Sequence, residues 1–306
     1  MTPSPVALFV YNRPLHAIRT LDALRRNELA DQTELFIFSD GPRDSSQKSS
    51  VQEVRELIKA PQGFRRVTVI ERETNLGLAL SVIAGVTQIV NEYGHVIVME
   101  DDLASSPYLL RFLNEGLRYY EREERVISIH GYMYPVEEEL PETFFLRGAD
   151  CWGWATWKRG WDLFEADGEE LLFKLKRGRL ITRFDLEGCY PFSKMLEDQV
   201  AGKNDSWAVR WHASAFIAEK LTLYPGRSLI YNIGLDGSGT HCNATGQYGG
   251  TLADRPVPVD RIEIMENKDA YESLRRFMAR GRKGGMKSYI RDLIRMVRGK
   301  FHERSC

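Results

Sequence analysis

The sequence predicts an α/β fold: a mostly parallel central sheet flanked by helices, followed by a basic helical tail. Three observations predict it. Short apolar β-type runs alternate with helical patterns through the first hundred residues, the runs close in turn residues, and basic charge gathers beyond residue 274. A chain of 306 residues, 43% hydrophobic and 28% charged, has ample material for a core and is neither collagenous nor disordered in composition.

The first strand is expected at Val6-Ala-Leu-Phe-Val-Tyr11. A helix from Pro14 to Arg26 follows, where proline suits a first turn and Ile18, Leu21, Ala23 and Leu24 form one face. Leu35-Phe-Ile-Phe38 is a second strand, closed by Ser39-Asp40-Gly41-Pro42. A helix over about Ser49 to Lys59 leads through Pro61-Gln-Gly63 to a third strand, Val67-Thr-Val-Ile70. Asn75-Leu-Gly77 turns the chain into a helix from Leu78 to Glu92, and Gly94 stops it. His95-Val-Ile-Val-Met99 is a fourth strand that runs straight into Glu100-Asp101-Asp102.

Past Pro107 a helix to about Arg122 precedes a strand at Val126-Ile-Ser-Ile-His130, and then the clean alternation stops. Phe144-Phe-Leu146 is strand-like and leads to Cys151-Trp-Gly-Trp-Ala-Thr-Trp157 and Trp161. Asp205 to Leu221 has a helical pattern, Leu223 to Ile233 is extended, and Gly234-Leu-Asp-Gly-Ser-Gly-Thr240 is expected to be a loop loosened by its glycines.

Charge and cysteine usage narrow the setting. Met1-Thr2-Pro3-Ser4-Pro5 enters an apolar run without a basic leader, no apolar stretch approaches the ~18 residues of a spanning helix, and Cys151, Cys189, Cys242 and Cys306 form no metal or redox motif. A cytoplasmic location is expected, and the Asn243-Ala-Thr245 sequon is then silent. The net charge is −1, yet residues 275–300 carry ten Lys/Arg against Asp292, so this tail holds +9 and the remainder −10. From Ser288 onward the apolar spacing suits an interfacial helix, and contact with anionic membrane through 275–300 is expected, with no nucleic-acid partner.

The chemistry concentrates at Glu100-Asp101-Asp102, because carboxyl ends of strands are where open α/β sheets place ligands. Three adjacent carboxylates repel one another, and a divalent ion bridging to diphosphate oxygens is the usual compensation. Strand alternation would point Glu100 and Asp102 one way and Asp101 the other. At the same edge lie Asn12-Arg13 and Asp40-Gly41-Pro42-Arg43, with Asp40 suited to accept from a base N–H or to form a local turn.

Val6 to Arg13, Phe38-Ser-Asp-Gly41, Asn75-Leu-Gly77 and above all Val96-Ile-Val-Met-Glu-Asp-Asp-Leu103 resemble nucleotide-sugar-dependent glycosyltransferases of the GT-A fold. The resemblance, over about Val6 to His241, is to the N-acetylglucosaminyltransferase I family and related bacterial polysaccharide glycosyltransferases. It implies a Rossmann-like GT-A domain in two halves, 1–125 binding the nucleotide sugar and 126–260 binding the acceptor and carrying the base, with 261–306 as the basic tail.

By the same resemblance Asp102 binds Mn2+ (or Mg2+), Glu100 contacts the donor sugar, Asp101 lies near the ribose, Asp40 contacts uracil and Arg13 the nucleotide. The family's histidine near the uracil is missing here, where Gly77-Leu-Ala-Leu80 stands. The family's base lies in an acidic pair before tryptophan, and Asn204-Asp205-Ser206-Trp207 offers Asp205, which could equally cap the helix that follows. Gly237-Ser-Gly-Thr-His241 resembles the loop that closes over the donor, with His241 reaching the diphosphate. Trp157 and Trp161 are expected in the core, and Trp154, beside Gly153, on the sugar side.

The function expected is metal-dependent, inverting transfer from a nucleoside diphosphate sugar, UDP-linked and of the UDP-N-acetylglucosamine type, to a glycan or lipid-linked saccharide. A sugar-1-phosphate nucleotidyltransferase would need a glycine-rich basic loop where Tyr11-Asn-Arg-Pro14 stands. A non-enzymatic membrane- or carbohydrate-binding module would leave the acid triplet without purpose.

Overall fold

In the computed structural model, residues 2–236 and 248–281 are described. Strand β1 (Val6–Val10) is buried at every position and lies parallel to β2 (Glu34–Ser39) on one side and to β4 (His95–Glu100) on the other. β3 (Arg66–Glu71) adds parallel to the outer edge of β2. The chain therefore leaves β1 in one direction and returns to its opposite side. That reversal makes a crevice at the carboxyl ends of β1 and β4, the place where open α/β sheets take ligands.

Beyond β4 the sheet continues through β8 (Trp154–Trp157), β6 (Val126–His130), β9 (Leu221–Pro225) and β7 (Thr143–Arg147). Among the described residues this gives the order β3-β2-β1-β4-β8-β6-β9-β7, with β8 antiparallel to both neighbours and β7 antiparallel to β9. A separate antiparallel pair joins β5 (Leu103–Ser105) to β10 (Ile230–Asn232).

Both faces of the sheet are covered, which is why its strands are apolar throughout rather than alternating. Val6, Leu8 and Val10 face Leu21 and Leu24 of helix α1 (Pro14–Leu24), Val54 of α2 (Lys48–Ile58) and Leu113 of α4 (Leu109–Tyr119). Ala7 and Phe9 face Val82, Val86 and Ile89 of α3 (Leu78–Tyr93), together with Trp207 and Trp211 of α9 (Trp207–Ile217). Gly85 lets α3 lie against the sheet, since a Cβ there would stand 2.6 Å from the Phe9 ring.

The tryptophan-rich segment forms β8 and then the short α5 (Lys158–Trp161). Trp157 and Trp161 are buried as expected. The extended reading over Leu223 to Ile233 resolves into two strands in different sheets, β9 and β10. Helix α9 is shorter than the sequence pattern suggests, and Ser206 is its N-cap, accepting from the Val209 N–H at 3.2 Å.

Three helices lie where the sequence gives no clear periodicity: α6 (Gly168–Arg177), α7 (Ile181–Phe184) and α8 (Phe192–Val200). They share with α9 a small core around Leu171, Leu175, Phe184, Leu196 and Phe216.

The start of the basic tail packs on the body. The chain is helical over 268–281, and Ala270, Tyr271, Leu274 and Met278 are buried at helical spacing. Arg275, Arg276 and Arg280 pair with Glu272, Glu138 and Glu137, so these three cations face protein carboxylates rather than an open surface. The remaining basic residues lie outside the described residues, and so does His241. Among the described residues no helix is long and apolar enough to cross a membrane.

Candidate active site

The carboxyl ends of β1, β2 and β4 open into a cleft of about 1380 Å³ whose walls include Arg13, Asp40, Gly77, Glu100, Asp102 and Asp205. Strand β4 ends at Glu100, and Asp101 and Asp102 form a turn, so strand alternation does not govern where their carboxylates point. Both reach Arg13, whose Nη2 donates to Asp101 and, at 3.0 Å, to Asp102 Oδ2. The turn is fixed on two more sides. The Thr20 hydroxyl donates to the Asp101 carbonyl at 2.7 Å, and the Ile233 N–H donates to the Asp102 carbonyl at 2.8 Å. Gly234 allows the chain after β10 to pass this close, because a Cβ there would stand 2.2 Å from Asp102 Oδ2.

Burial, with the charges of Asp102 and Asp101, pushes the Glu100 carboxyl up to about 8 against the opposing pull of Arg13. Asp101 is also raised, chiefly by burial, and Arg13 opposes the shift. For Arg13 burial acts to lower the pKa, but Asp101 and Asp102 outweigh it and keep the guanidinium charged. Even with Glu100 held largely neutral, Asp101 and Asp102 outnumber the single Arg13 guanidinium and leave the turn with surplus negative charge, which a divalent cation would balance.

Asp102 is the better placed ligand, its side chain 18% exposed against 6% for Asp101. Among the described residues no three metal-binding side chains converge. A hard ion held here would draw its other ligands from water and from ligand oxygens, as Mg2+ and Mn2+ commonly do with phosphates. Arg13 Nη1 is buried without a hydrogen-bond partner among the described groups, a donor at the same wall that could meet an oxygen ligand.

Several expected roles change. Asp40 is buried and its carboxylate is already taken: Oδ1 accepts from the Gly41 and Leu76 N–H groups, and Oδ2 from Asn75 Nδ2 and the Leu76 and Gly77 N–H groups, all at 2.9–3.1 Å. It therefore fastens the Asn75-Leu-Gly77 turn to the end of β2 instead of standing open to a base. Asp101 also lines the cleft, with its carboxylate engaged by Arg13 and by the Tyr11 N–H at 3.4 Å.

Trp154 is fully buried, stacked on Trp207 at 5.7 Å and packed against Trp161 and Trp211. It belongs to the core, not to a sugar face, because as the first residue of β8 its ring points to the α3–α9 side of the sheet. Its neighbour Trp152 borders the cleft.

Asp205 stands on the cleft wall just before α9, its side chain 64% exposed and 3.7 Å from Arg210. It is not the helix cap, a role that Ser206 fills. Its Oδ2 lies 4.0 Å from where a Gly77 Cβ would be, so it faces the Asn75-Leu-Gly77 turn across the cleft. Residues whose part the sequence does not disclose include Asn75, which bridges Asp40 and the Gly41 carbonyl, and Asp150, a cleft carboxylate without a recognisable motif.

A mixed α/β sheet with a switch-point cleft and an acid cluster at its carboxyl edge is the architecture of α/β enzymes that take their ligands at that edge. The chain belongs to glycosyl transferase family 2, whose profile matches residues 6–160, and it is a glycosyltransferase with the GT-A fold. Among solved structures it is similar to the mannosyltransferase PcManGT from Pyrobaculum calidifontis in complex with GDP-Man and Mn2+, at 12% identity over 71% of this chain and 72% of that one, with a TM-score of 0.34. S. aureus TarS is similar at 16% identity over 47% of this chain and 24% of that one, with a TM-score of 0.30. Comparison with curated proteins gives no match.

Proposed function

We propose that the protein transfers a sugar, with inversion and with the help of a divalent metal, from a nucleoside diphosphate sugar to a hydroxyl of a glycan or lipid-linked saccharide. The observation that carries the reading is the Glu100-Asp101-Asp102 turn, pinned at the switch point with one guanidinium against three acids. Asp102 would hold Mn2+ or Mg2+, which when bound offsets the charge of the leaving diphosphate. Arg13 positions the two aspartates and keeps Nη1 for a donor oxygen. Glu100 lies beside the donor sugar. The resemblance to the N-acetylglucosaminyltransferase I family supports a UDP-linked donor of the UDP-N-acetylglucosamine type.

Asp205 is the general base of the proposal. Its exposed carboxylate on the cleft wall can take the proton of an acceptor hydroxyl as that oxygen attacks the anomeric carbon. Residues 1–125 would form the donor half and 126–260 the acceptor half. Contact with anionic lipid would fall to the basic residues beyond 281, and its support is their sequence charge.

Asp205→Asn tests the base. Turnover should fall by about 10²–10⁴-fold, while UDP affinity stays at the wild-type value in calorimetry. Turnover within a few-fold of wild type would remove Asp205 from the mechanism.

A further inference from the structure

The cleft is larger than one ligand requires. Single small-molecule sites run to about 300–1,000 Å³, and this one, at about 1380 Å³, extends from the acid turn to a chamber lined by Tyr134, Asp150 and Trp152. Topology explains where it lies. Because β8 runs antiparallel to β4, the residues that precede β8 emerge at the same sheet edge as the residues that follow β4. Asp150 and Trp152 thus stand beside Glu100 and Asp102, on loops that carry no assigned role.

Asp150 is held in place, with its side chain 22% exposed. Its Oδ2 accepts from the Tyr134 hydroxyl and its Oδ1 from the Cys151 N–H, each at 2.8 Å. The Trp152 N–H donates at 3.1 Å to Nε2 of His130, a fully buried ring that burial keeps neutral. The Trp152 ring packs edge-on against Tyr132 and Tyr248, at 4.7 and 5.9 Å between centroids. Tyr134 packs in turn against Tyr248 and Phe277. Such interlocked rings are stiff, so the chamber is pre-organised.

The chamber's other charged neighbours are engaged elsewhere. Arg147 donates to the Phe216 carbonyl, lies over the Phe216 ring and pairs with Glu219, while Glu266 pairs with Arg183. A carboxylate between aromatic walls then sets the character of the space. Ring hydroxyls can donate to Asp150 while the apolar face of a pyranose lies on an aromatic ring. An anionic ligand would meet the Asp150 charge, and Arg147, a cation on the lining, is paired with Glu219.

We infer that this chamber is the acceptor subsite and takes an uncharged saccharide ring, with Asp150 as the positioning residue that accepts from its hydroxyls and Trp152 as its stacking wall. The inference rests on the transferase reading above. It adds which residues hold the acceptor and which acceptors are refused.

The test uses the full chain and needs no turnover. Methyl glycosides of neutral hexoses and N-acetylhexosamines, with methyl glucuronide as the anionic comparison, are titrated by saturation-transfer NMR, and UDP with Mn2+ is titrated separately by calorimetry. Neutral glycosides should bind, and the glucuronide at least about tenfold more weakly. Asp150→Asn and Trp152→Ala should each weaken neutral-glycoside binding by about tenfold or more with UDP affinity unchanged. Trp152→Phe, which keeps an aromatic face, should restore most of it, and Asp102→Ala should leave it intact.

No binding of any neutral glycoside, equal affinity in wild type and the isosteric Asp150→Asn, or preference for the glucuronide would each overturn the inference. Glycoside binding without nucleotide binding would instead keep the chamber and sink the transferase reading.

Discussion

At the scale of single residues, the site is organised by which carboxylates are already occupied. Asp40 accepts five hydrogen bonds from four N–H donors, of Gly41, Asn75, Leu76 and Gly77, so its substitution should show first in stability. Asp40→Ala leaves several buried donors without an acceptor, and should cost about 2–4 kcal/mol in denaturant unfolding. A residue that merely touched the base would instead lose nucleotide affinity at constant stability, and that outcome would restore the role the resemblance implies.

The buried histidines give a pH signature. Burial lowers the pKa of both His130 and His212, so the folded protein keeps them neutral while the unfolded chain takes protons below the ordinary value of 6.5. Their contribution is complete above that value and is lost as the pH falls through it toward the folded values, with a limiting slope near 1.4 kcal/mol per pH unit per histidine. Unfolding free energies measured between pH 7.5 and 5 should therefore drop, and His212→Gln should show a shallower acid limb. An unchanged slope would contradict the assignment of His212 as a neutral buried ring.

At the scale of elements, the first half of the chain was legible because two covered faces force apolar strands, and helix patterns separate them. The order β1-α1-β2-α2-β3-α3-β4 follows from that alternation, with boundaries within one or two residues. The small helices α6, α7 and α8 were not legible. Four to ten residues long, they exist because Leu171, Phe184 and Leu196 find a shared core with α9, which no local period reveals.

The acid turn was legible in its place and not in its orientation, since alternation applies to a strand and the strand stops at Glu100. Trp154 misleads for a related reason: a tryptophan beside glycine suits a ligand face, but the start of β8 delivers it to a four-tryptophan core. A prediction at this scale concerns how α3 meets the sheet. Gly85→Ala brings a methyl group to 2.6 Å from Phe9, beside the Phe9–Phe38 stack, and overpacking there should cost about 1–3 kcal/mol of stability. A neutral result in chemical denaturation would show that α3 can retreat from the sheet freely.

At the scale of the whole molecule, one sheet serves two jobs. Its parallel part, β3-β2-β1-β4, ends in the acid turn, and its mixed part, β8-β6-β9-β7, carries the aromatic chamber, with the antiparallel contact between β4 and β8 bringing them to one edge. The helical segment over 268–281 closes the far side of that chamber through Leu274 and Met278, so the chain's basic end begins as part of the body.

The central claim is that the acid turn binds a nucleotide through a metal. Calorimetric titration of UDP into wild type and Asp102→Ala, each with and without Mn2+, tests it most directly. The account predicts binding that requires the metal and that falls by at least about tenfold in the variant. UDP binding that is indifferent to Mn2+ and to Asp102 would contradict it.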